Sequence, residues 1–159
     1  KIDVFSLGIL GDFPLNNPLI STTLAVLAVT FNAIFFNYIL VRQELVSQQT
    51  HLPAAVFIIV SALIPGFAGS LDMQLYMLSI LLSIQLFYSI DGVQKMHRPF
   101  FSGLFLGVAS LFQPATWLLY LFFALGLRSL NVSPGRASLV MLLGALFPFY
   151  FSWIGFSSR

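Results

Sequence analysis

Long apolar stretches alternate with short polar connections along this chain. The clearest stretch runs from Pro18 to Val41 and contains no charged residue. As an α-helix rising about 1.5 Å per residue it would be about 36 Å long, which exceeds the hydrocarbon core of a bilayer, about 30 Å thick. Proline is also well tolerated in the first turn of a helix. The pattern therefore predicts a transmembrane helix at 18–41.

The other apolar stretches extend this pattern over the whole chain. We predict an all-α fold, a polytopic transmembrane bundle of about six helices in a single domain over residues 1–159. Residues 1–17 mix polar and apolar side chains with two glycines and a proline, and they predict an outer loop or an interfacial segment. The predicted spans lie near residues 18–41, 52–69, 73–90, 100–112, 115–127 and 137–156.

The apolar stretch 100–127 admits two interpretations. It carries no charge, but Gln113-Pro114 lies near its centre. Proline removes a backbone hydrogen bond and moves the preceding residue out of the α region. One interpretation is a single kinked helix of about 42 Å. The other is a hairpin of two short helices, each about 20 Å long.

The positions of the basic residues favour the hairpin, because short cytoplasmic loops collect Lys and Arg. If connection 42–51 is cytoplasmic, connection 91–99 is cytoplasmic too, and a hairpin places 128–136 on the same side. Five of the seven basic residues then lie in cytoplasmic connections. A single helix would place Arg128 and Arg136 outside. We therefore predict a short-helix hairpin at 100–127.

Composition indicates that these helices lie in lipid. The chain has 159 residues, of which 58% are hydrophobic and 8% are charged, whereas a soluble domain usually has about 25% charged residues. The net charge is +2 and the basic residues are scattered, which excludes the basic patch of a nucleic-acid-binding protein. There is no Cys, which excludes disulfides and cysteine metal sites. Because the chain begins at Lys1 rather than at Met, we expect a processed or truncated start.

Small residues in the later spans form a candidate packing surface. Gly103 and Gly107 have the GxxxG spacing, which lets two helix backbones approach closely in a membrane. Ser110 follows at helical spacing, and Gly144 lies in the last span. We predict that these four residues pack against other helices. The alternative is a groove beside the glycines that holds a lipid tail.

Uncharged polar residues lie in or between the spans, whereas charged residues lie only in connections and at span boundaries. The absence of ionisable groups from the spans argues against a proton or ion path. We interpret the polar residues as interhelical hydrogen-bonding groups that contribute about 1 kcal/mol each. They are Asn32, Asn37, Gln85 and Gln113.

The sequence predicts neither a metal site nor a catalytic residue. His51 and His97 are the only histidines, and two His without Cys or a carboxylate cluster cannot fill three or four ligand positions. Asp3, Asp12 and Asp72 fall on the predicted outer side, where one of them could act as a general base towards a lipid-linked substrate. Their spacing indicates no such site, and we interpret them as ordinary loop acids. We expect no cofactor and no metal ion.

Three segments carry a resemblance to a known family. They are NYILVRQELV at Asn37–Val46, HLPAAVFI at His51–Ile58 and SGLFLGVASLF at Ser102–Phe112. Together with a last span that contains Gly144 and Pro148, they resemble an uncharacterised polytopic inner-membrane family of the Bacteroidota, a domain of unknown function. The resemblance covers residues 32–151. The chain departs from the family in two places. Members often have an acidic residue before the glycine motif, where this chain has Phe101-Ser102, and the loop before the last span is here RSLNVSPGR. It implies a bacterial inner-membrane location and no activity.

A fainter likeness is to the membrane modules of C-type glycosyltransferases, which use lipid-linked sugars. These modules contain a Gly-rich short helix, a polar-Pro apex and a second short helix, much like GLFLGVASLFQPATWLLYLFF at Gly103–Phe123. The likeness would make Asp3 or Asp12 the acid that such enzymes place in their first outer loop. This chain has no paired-acid motif there.

The sequence has close-packing residues but no group of residues arranged for catalysis, metal binding or an ion path. It therefore predicts a non-catalytic integral inner-membrane subunit or scaffold of a larger membrane assembly. Its expected partners are membrane lipids and other integral membrane subunits, with no nucleic acid. One alternative is a C-type glycosyltransferase-like module that acts on a lipid-linked sugar. Another is a small-substrate transporter subunit, because an uncharged pore needs no ionisable residue.

Overall fold

Six α-helices make up most of the chain. The computed structural model describes residues 18–46, 50–64, 66–90, 97–128 and 133–157, and in these ranges it contains no strand. A short 3₁₀ helix, Pro114–Thr116, separates the fourth and fifth helices. The prediction of an all-α fold with six helices is confirmed. The helices are α1 (Pro18–Arg42), α2 (Leu52–Leu63), α3 (Leu71–Tyr88), α4 (His97–Phe112), α5 (Trp117–Gly126) and α6 (Pro134–Ser157).

Helix length separates these elements into two classes. In the described part of the chain, three helices are long and apolar enough to cross a membrane, namely α1, α3 and α6. Helices α2 and α5 are apolar but shorter. At about 1.5 Å per residue, α2 is about 18 Å long and α5 about 15 Å, so neither could cross a core of about 30 Å alone. The three long helices indicate a membrane protein.

The apolar stretch 100–127 folds back on itself. Gln113 is extended, with φ −141° and ψ 107°, and both the N–H and the hydroxyl of Thr116 donate to its carbonyl, at 3.0 and 2.7 Å. Contacts that join Gly103 to Met141 and Gly107 to Ala145 show that α4 and α6 run parallel. The intervening α5 must therefore run back. The predicted hairpin is confirmed, and the alternative of a single kinked helix is wrong.

The connection between α2 and α3 differs in its bounds from the predicted one. Helix α2 ends at Leu63, and Ile64 is extended, with φ −85° and ψ 114°. Pro65 follows in the sequence, and a residue that precedes proline avoids the α region. The predicted span continued to residue 69, but this restriction ends the helix earlier. Helix α3 then begins at Leu71, so that Asp72 lies in its first turn rather than in a loop.

The chain divides into two compact units, Lys1–Leu78 and Ser79–Arg159. In the first unit α1 packs against α2, and in the second α4 packs against α6. The boundary falls within α3. A buried apolar cluster in the second unit contains Phe87, Ile90, Leu127, Ala137 and Met141, with Tyr120 and Phe123 packed against it.

Large apolar side chains are exposed in both units, while several polar side chains are buried. Asn32, Ser83 and Ser102 are at most 1% exposed, whereas Trp153 is 77% exposed. Buried polar groups that hydrogen-bond one another, under an apolar surface, suit a protein whose solvent is lipid tails. This exposed apolar surface supports a membrane protein, beyond helix length alone.

Candidate functional site

Helices α4 and α6 are in close backbone contact, and glycine makes this contact possible. A Cβ atom added to Gly103 would overlap the carbonyl oxygen of Met141 and lie 2.7 Å from its carbonyl carbon. At Gly107 an added Cβ would overlap the Ala145 carbonyl oxygen and lie 2.9 Å from that residue's Cα. Real Cβ atoms do not approach a backbone so closely. Any side chain at either position would therefore force the two helices apart.

Helix α6 contributes a glycine of its own to the same contact. A Cβ added to Gly144 would overlap the carbonyl oxygen of Phe100 and lie 3.0 Å from the Leu104 nitrogen. Around the glycines, Ala109, Met141 and Ala145 are at most 1% exposed. The structure therefore brings three of the four predicted packing residues into one interface. We call this contact the glycine interface.

Ser110, the fourth predicted packing residue, is also buried on α4. Its hydroxyl donates to the carbonyl of Gly107 at 2.7 Å, within the same helix. Such a bond satisfies the hydroxyl locally. Ser110 therefore acts as a small buried residue and not as a hydrogen-bonding link between helices.

A pair of serines, missed by the sequence analysis, joins α3 to α4. Ser83 Oγ donates to the Ser102 carbonyl at 2.8 Å, and Ser102 Oγ donates to the Ser83 carbonyl at 3.0 Å. The two hydroxyl oxygens are 3.3 Å apart. Because each hydroxyl donates to a main-chain carbonyl rather than to a general base, neither serine is arranged as a nucleophile. The sequence signal that could have indicated helix packing here is the spacing of Ser79 and Ser83, two small residues one helical turn apart.

In the first unit, Asn32 forms a second buried polar link. Its Nδ2 donates to the carbonyl and to the Oε1 of Gln74, at 3.0 and 3.1 Å. Gln74 Nε2 in turn donates to the Phe67 carbonyl at 2.8 Å. Asn32 was predicted to hydrogen-bond between helices, and it does. Its partner Gln74 was not identified from the sequence.

The other predicted polar residues behave differently. Asn37 Oδ1 and Gln85 Oε1 are both buried and have no hydrogen-bond partner. Gln113 is exposed at the corner between α4 and α5. An unpaired buried acceptor costs about 1–3 kcal/mol. The side-chain oxygens of Asn37 and Gln85 therefore accept none of the interhelical bonds expected of these residues.

Among the residues considered for catalysis and metal binding, those that the structure describes do not form a metal-binding group. Asp72 is exposed at the start of α3, while Asp3 and Asp12 lie outside the described residues. His51 precedes α2, and His97 is exposed at the start of α4. Within the described ranges no three His, Asp or Glu side chains come together in a group that could hold a metal ion.

Comparison with known proteins gives a family without an activity. A family model described as "Family of unknown function (DUF6427)" matches residues 3–154. The predicted resemblance to an uncharacterised family is thus confirmed. No curated protein and no solved structure shows significant similarity to the chain.

Proposed function

Because the chain belongs to the family of unknown function DUF6427, we propose its role from its own packing, as a non-catalytic integral subunit or scaffold of a larger membrane assembly. The proposed location is a bacterial inner membrane, and the proposed origin is the Bacteroidota. The partners are other integral membrane subunits and the surrounding lipids. This role accounts for residues specialised in packing and needs no reactive group.

The observation that carries the proposal is an apolar stripe on the exposed face of α6. Its residues follow one another at alternating steps of four and three, which is the spacing of a helix-packing seam. All are between 46% and 77% exposed in this chain. The stripe consists of Leu139, Leu143, Leu146, Tyr150 and Trp153. We propose that a helix of a partner subunit packs here.

Affinity purification of the full chain in a mild detergent tests the proposal. We expect a partner subunit in stoichiometric amounts, and loss of that partner in Leu143→Trp. The larger ring keeps the surface apolar, and therefore compatible with lipid, but blocks close approach of a helix. The matched control is Leu118→Trp, because both leucines are 62% exposed but Leu118 lies on α5, which has only 10 residues. If the parent chain purifies alone, or both variants keep the partner, the scaffold role is wrong.

The positions of the basic residues also support an orientation in this membrane. The connections 42–51, 91–99 and 128–136 would lie in the cytoplasm. Single-cysteine labelling suits this chain because it has no Cys. We expect Ser133→Cys to resist an impermeant thiol reagent in intact spheroplasts and to react after lysis. Labelling in intact spheroplasts would contradict this orientation.

A second candidate function is supported by the corner between α4 and α5. A short helix, a Gln-Pro apex and a second short helix are the arrangement that the glycosyltransferase likeness implies. Asn substitutions at Asp3, Asp12 and Asp72 together distinguish the two candidates. Loss of a general base typically costs 10²–10⁴-fold in rate, whereas a scaffold should keep its assembly and phenotype. A stably inserted triple variant with a null phenotype would favour the transferase.

A further inference from the structure

An open groove of about 590 Å³ lies in the first unit, between α1 and the start of α2. Ile34, Val41 and Ala54 give it apolar walls. Polar groups at Asn37, Tyr38, Thr50 and His51 complete the lining. The volume is in the range of small-ligand sites, which combine apolar walls with a few polar groups. We call it the α1–α2 groove.

Asn37 provides a hydrogen-bond acceptor that has no donor. Its side chain lines the groove, and its Oδ1 is buried with no partner. The other asparagine of α1, Asn32, has both Gln74 oxygens as partners for its amide. The chain can therefore satisfy an asparagine within α1, and at Asn37 it does not. A hydroxyl or amine of a bound molecule would supply the missing donor.

Arg42 places a cation against Tyr38, one of the residues that line the groove. Arg42 Nη1 donates to the Tyr38 hydroxyl at 3.1 Å, and the guanidinium carbon lies 5.8 Å from the centre of the Tyr38 ring. Both contacts hold the exposed guanidinium beside a lining residue. Its further N–H groups suit the oxygens of a phosphate. Arg42 follows Asn37 by five residues, about 7.5 Å along the helix.

The apolar walls of the groove, the unpaired oxygen of Asn37 and the guanidinium of Arg42 together fit one kind of ligand. We propose that the α1–α2 groove binds the head region of an anionic membrane phospholipid that also carries a hydroxyl or amine donor. Its phosphate contacts Arg42, its donor contacts Asn37 Oδ1, and its apolar part follows Ile34 and Val41. The proposal is independent of the scaffold role, because either a subunit or an enzyme could hold such a lipid.

Lipid-induced stabilisation of the purified full chain tests the proposal. Phosphatidylglycerol, added to the protein in detergent, should raise the Tm more than phosphatidylcholine, because only the first combines net negative charge with head-group hydroxyls. Soluble glycerol 3-phosphate should have no comparable effect at equal concentration, because it lacks the apolar part. Equal stabilisation by all three compounds, or by the two lipids, would overturn the proposal.

Asn37→Leu isolates the role of the orphan acceptor. The substitution removes a buried group without a partner, so the Tm without added lipid should stay the same or rise. The affinity for phosphatidylglycerol should fall about tenfold, the factor for loss of one hydrogen bond of about 1.4 kcal/mol. Affinity equal to that of the parent chain would overturn the assignment of Asn37.

Gln85→Leu is the matched control, since its Oε1 is also buried without a partner but it does not line the groove. It should respond to phosphatidylglycerol as the parent does. Ala54→Phe provides a second test, because it fills the groove from the α2 side without changing a polar group. Lipid stabilisation that survives in the folded Ala54→Phe variant would contradict this location, even if Asn37→Leu failed to fold.

Discussion

The helix pairs α4–α6 and α1–α2 pack by opposite means. In the glycine interface the backbone of one helix touches that of the other, and Gly103, Gly107 and Gly144 leave no room for a Cβ atom. Between α1 and α2, large side chains meet instead, as in Phe36 and Phe57, whose ring centres are 5.6 Å apart. A backbone contact cannot adapt to added volume, whereas ring contacts can rearrange. The first pair therefore suits a fixed framework, and the second leaves space for the α1–α2 groove.

The largest expected effect follows from filling the glycine interface. Gly107→Leu should destabilise the protein by about 3 kcal/mol or more, because overpacking typically costs about 1–3 kcal/mol even where side chains can shift. Here the obstacle is the backbone of Ala145. Thermal unfolding in detergent, with the yield of the assembled protein, measures the loss.

Gly135→Ala is the control for this substitution. Gly135 also lies in α6, but an added Cβ there would meet nothing within 4 Å. Alanine is the better helix former by about 1 kcal/mol, so this variant should be equal to the parent or more stable. Equal Tm values for Gly107→Leu and the parent would show that close backbone contact does not hold α4 to α6.

The Ser83–Ser102 pair should give the next largest effect. Hydrogen bonds between membrane helices contribute about 0.6 kcal/mol on average and up to about 1.7. Each hydroxyl donates to the main-chain carbonyl of the other serine, which alanine keeps, so Ser83→Ala and Ser102→Ala should each destabilise, and the double variant should cost about their sum. Ser89→Ala is the control, since that hydroxyl, just after the end of α3, donates to the nearby Leu86 carbonyl and not to another helix. A double variant that costs no more than one single variant would contradict two separate bonds.

The features found from the sequence are those set by local spacing. GxxxG at Gly103 and Gly107 indicates close packing because both glycines fall on one helix face. The break at Gln113-Pro114 follows from the geometry of proline and the residue before it. Apolar length identified α1, although the early end of α2 at Leu63 was missed. Each of these inferences needs only residues near one another in the sequence.

The features that were missed depend on which helices are neighbours. Nothing in the surroundings of Ser83 reveals that Ser102 faces it, because that contact requires α3 to lie beside α4. The same holds for Gln74 as the partner of Asn32. The contrast between satisfied Asn32 and unpaired Asn37 is likewise a property of packing, since the two side chains are chemically identical. The α1–α2 groove could therefore be recognised only in three dimensions.

A milder substitution in the first unit sharpens the contrast between the helix pairs. Phe57→Leu shortens the side chain that meets Phe36 but keeps an apolar group there. We expect a loss of about 1 kcal/mol, within the range for conservative core changes. Thermal unfolding, compared with Phe122→Leu at a ring that is 69% exposed, separates this contact from a general preference for aromatic residues. A loss as large as that of Gly107→Leu would remove the distinction between adaptable and rigid packing.

The smallest expected effect concerns the end of α1, where the backbone favours glycine but the chain has Glu44. The N–H of Leu45 donates to the Leu40 carbonyl and that of Glu44 to the Val41 carbonyl, both at 3.1 Å. This is the Schellman pattern, whose left-handed position is usually glycine, and Glu44 has φ 54°. Its negative charge also lies at the negative end of the helix dipole.

Glu44→Gly should therefore stabilise the protein by about 1 kcal/mol, because a left-handed conformation costs other residues about 1–2 kcal/mol. Glu44→Gln is the matched control: it removes the charge and keeps the side chain, so it should recover only about 0.3–1 kcal/mol. Thermal unfolding of both variants at low salt separates backbone strain from charge. If Glu44→Gly gains no more than Glu44→Gln, the backbone is not strained there. A larger gain would show that the first unit keeps a costly residue at the end of α1, while the second unit has Gly103, Gly107 and Gly144 at backbone contacts between α4 and α6.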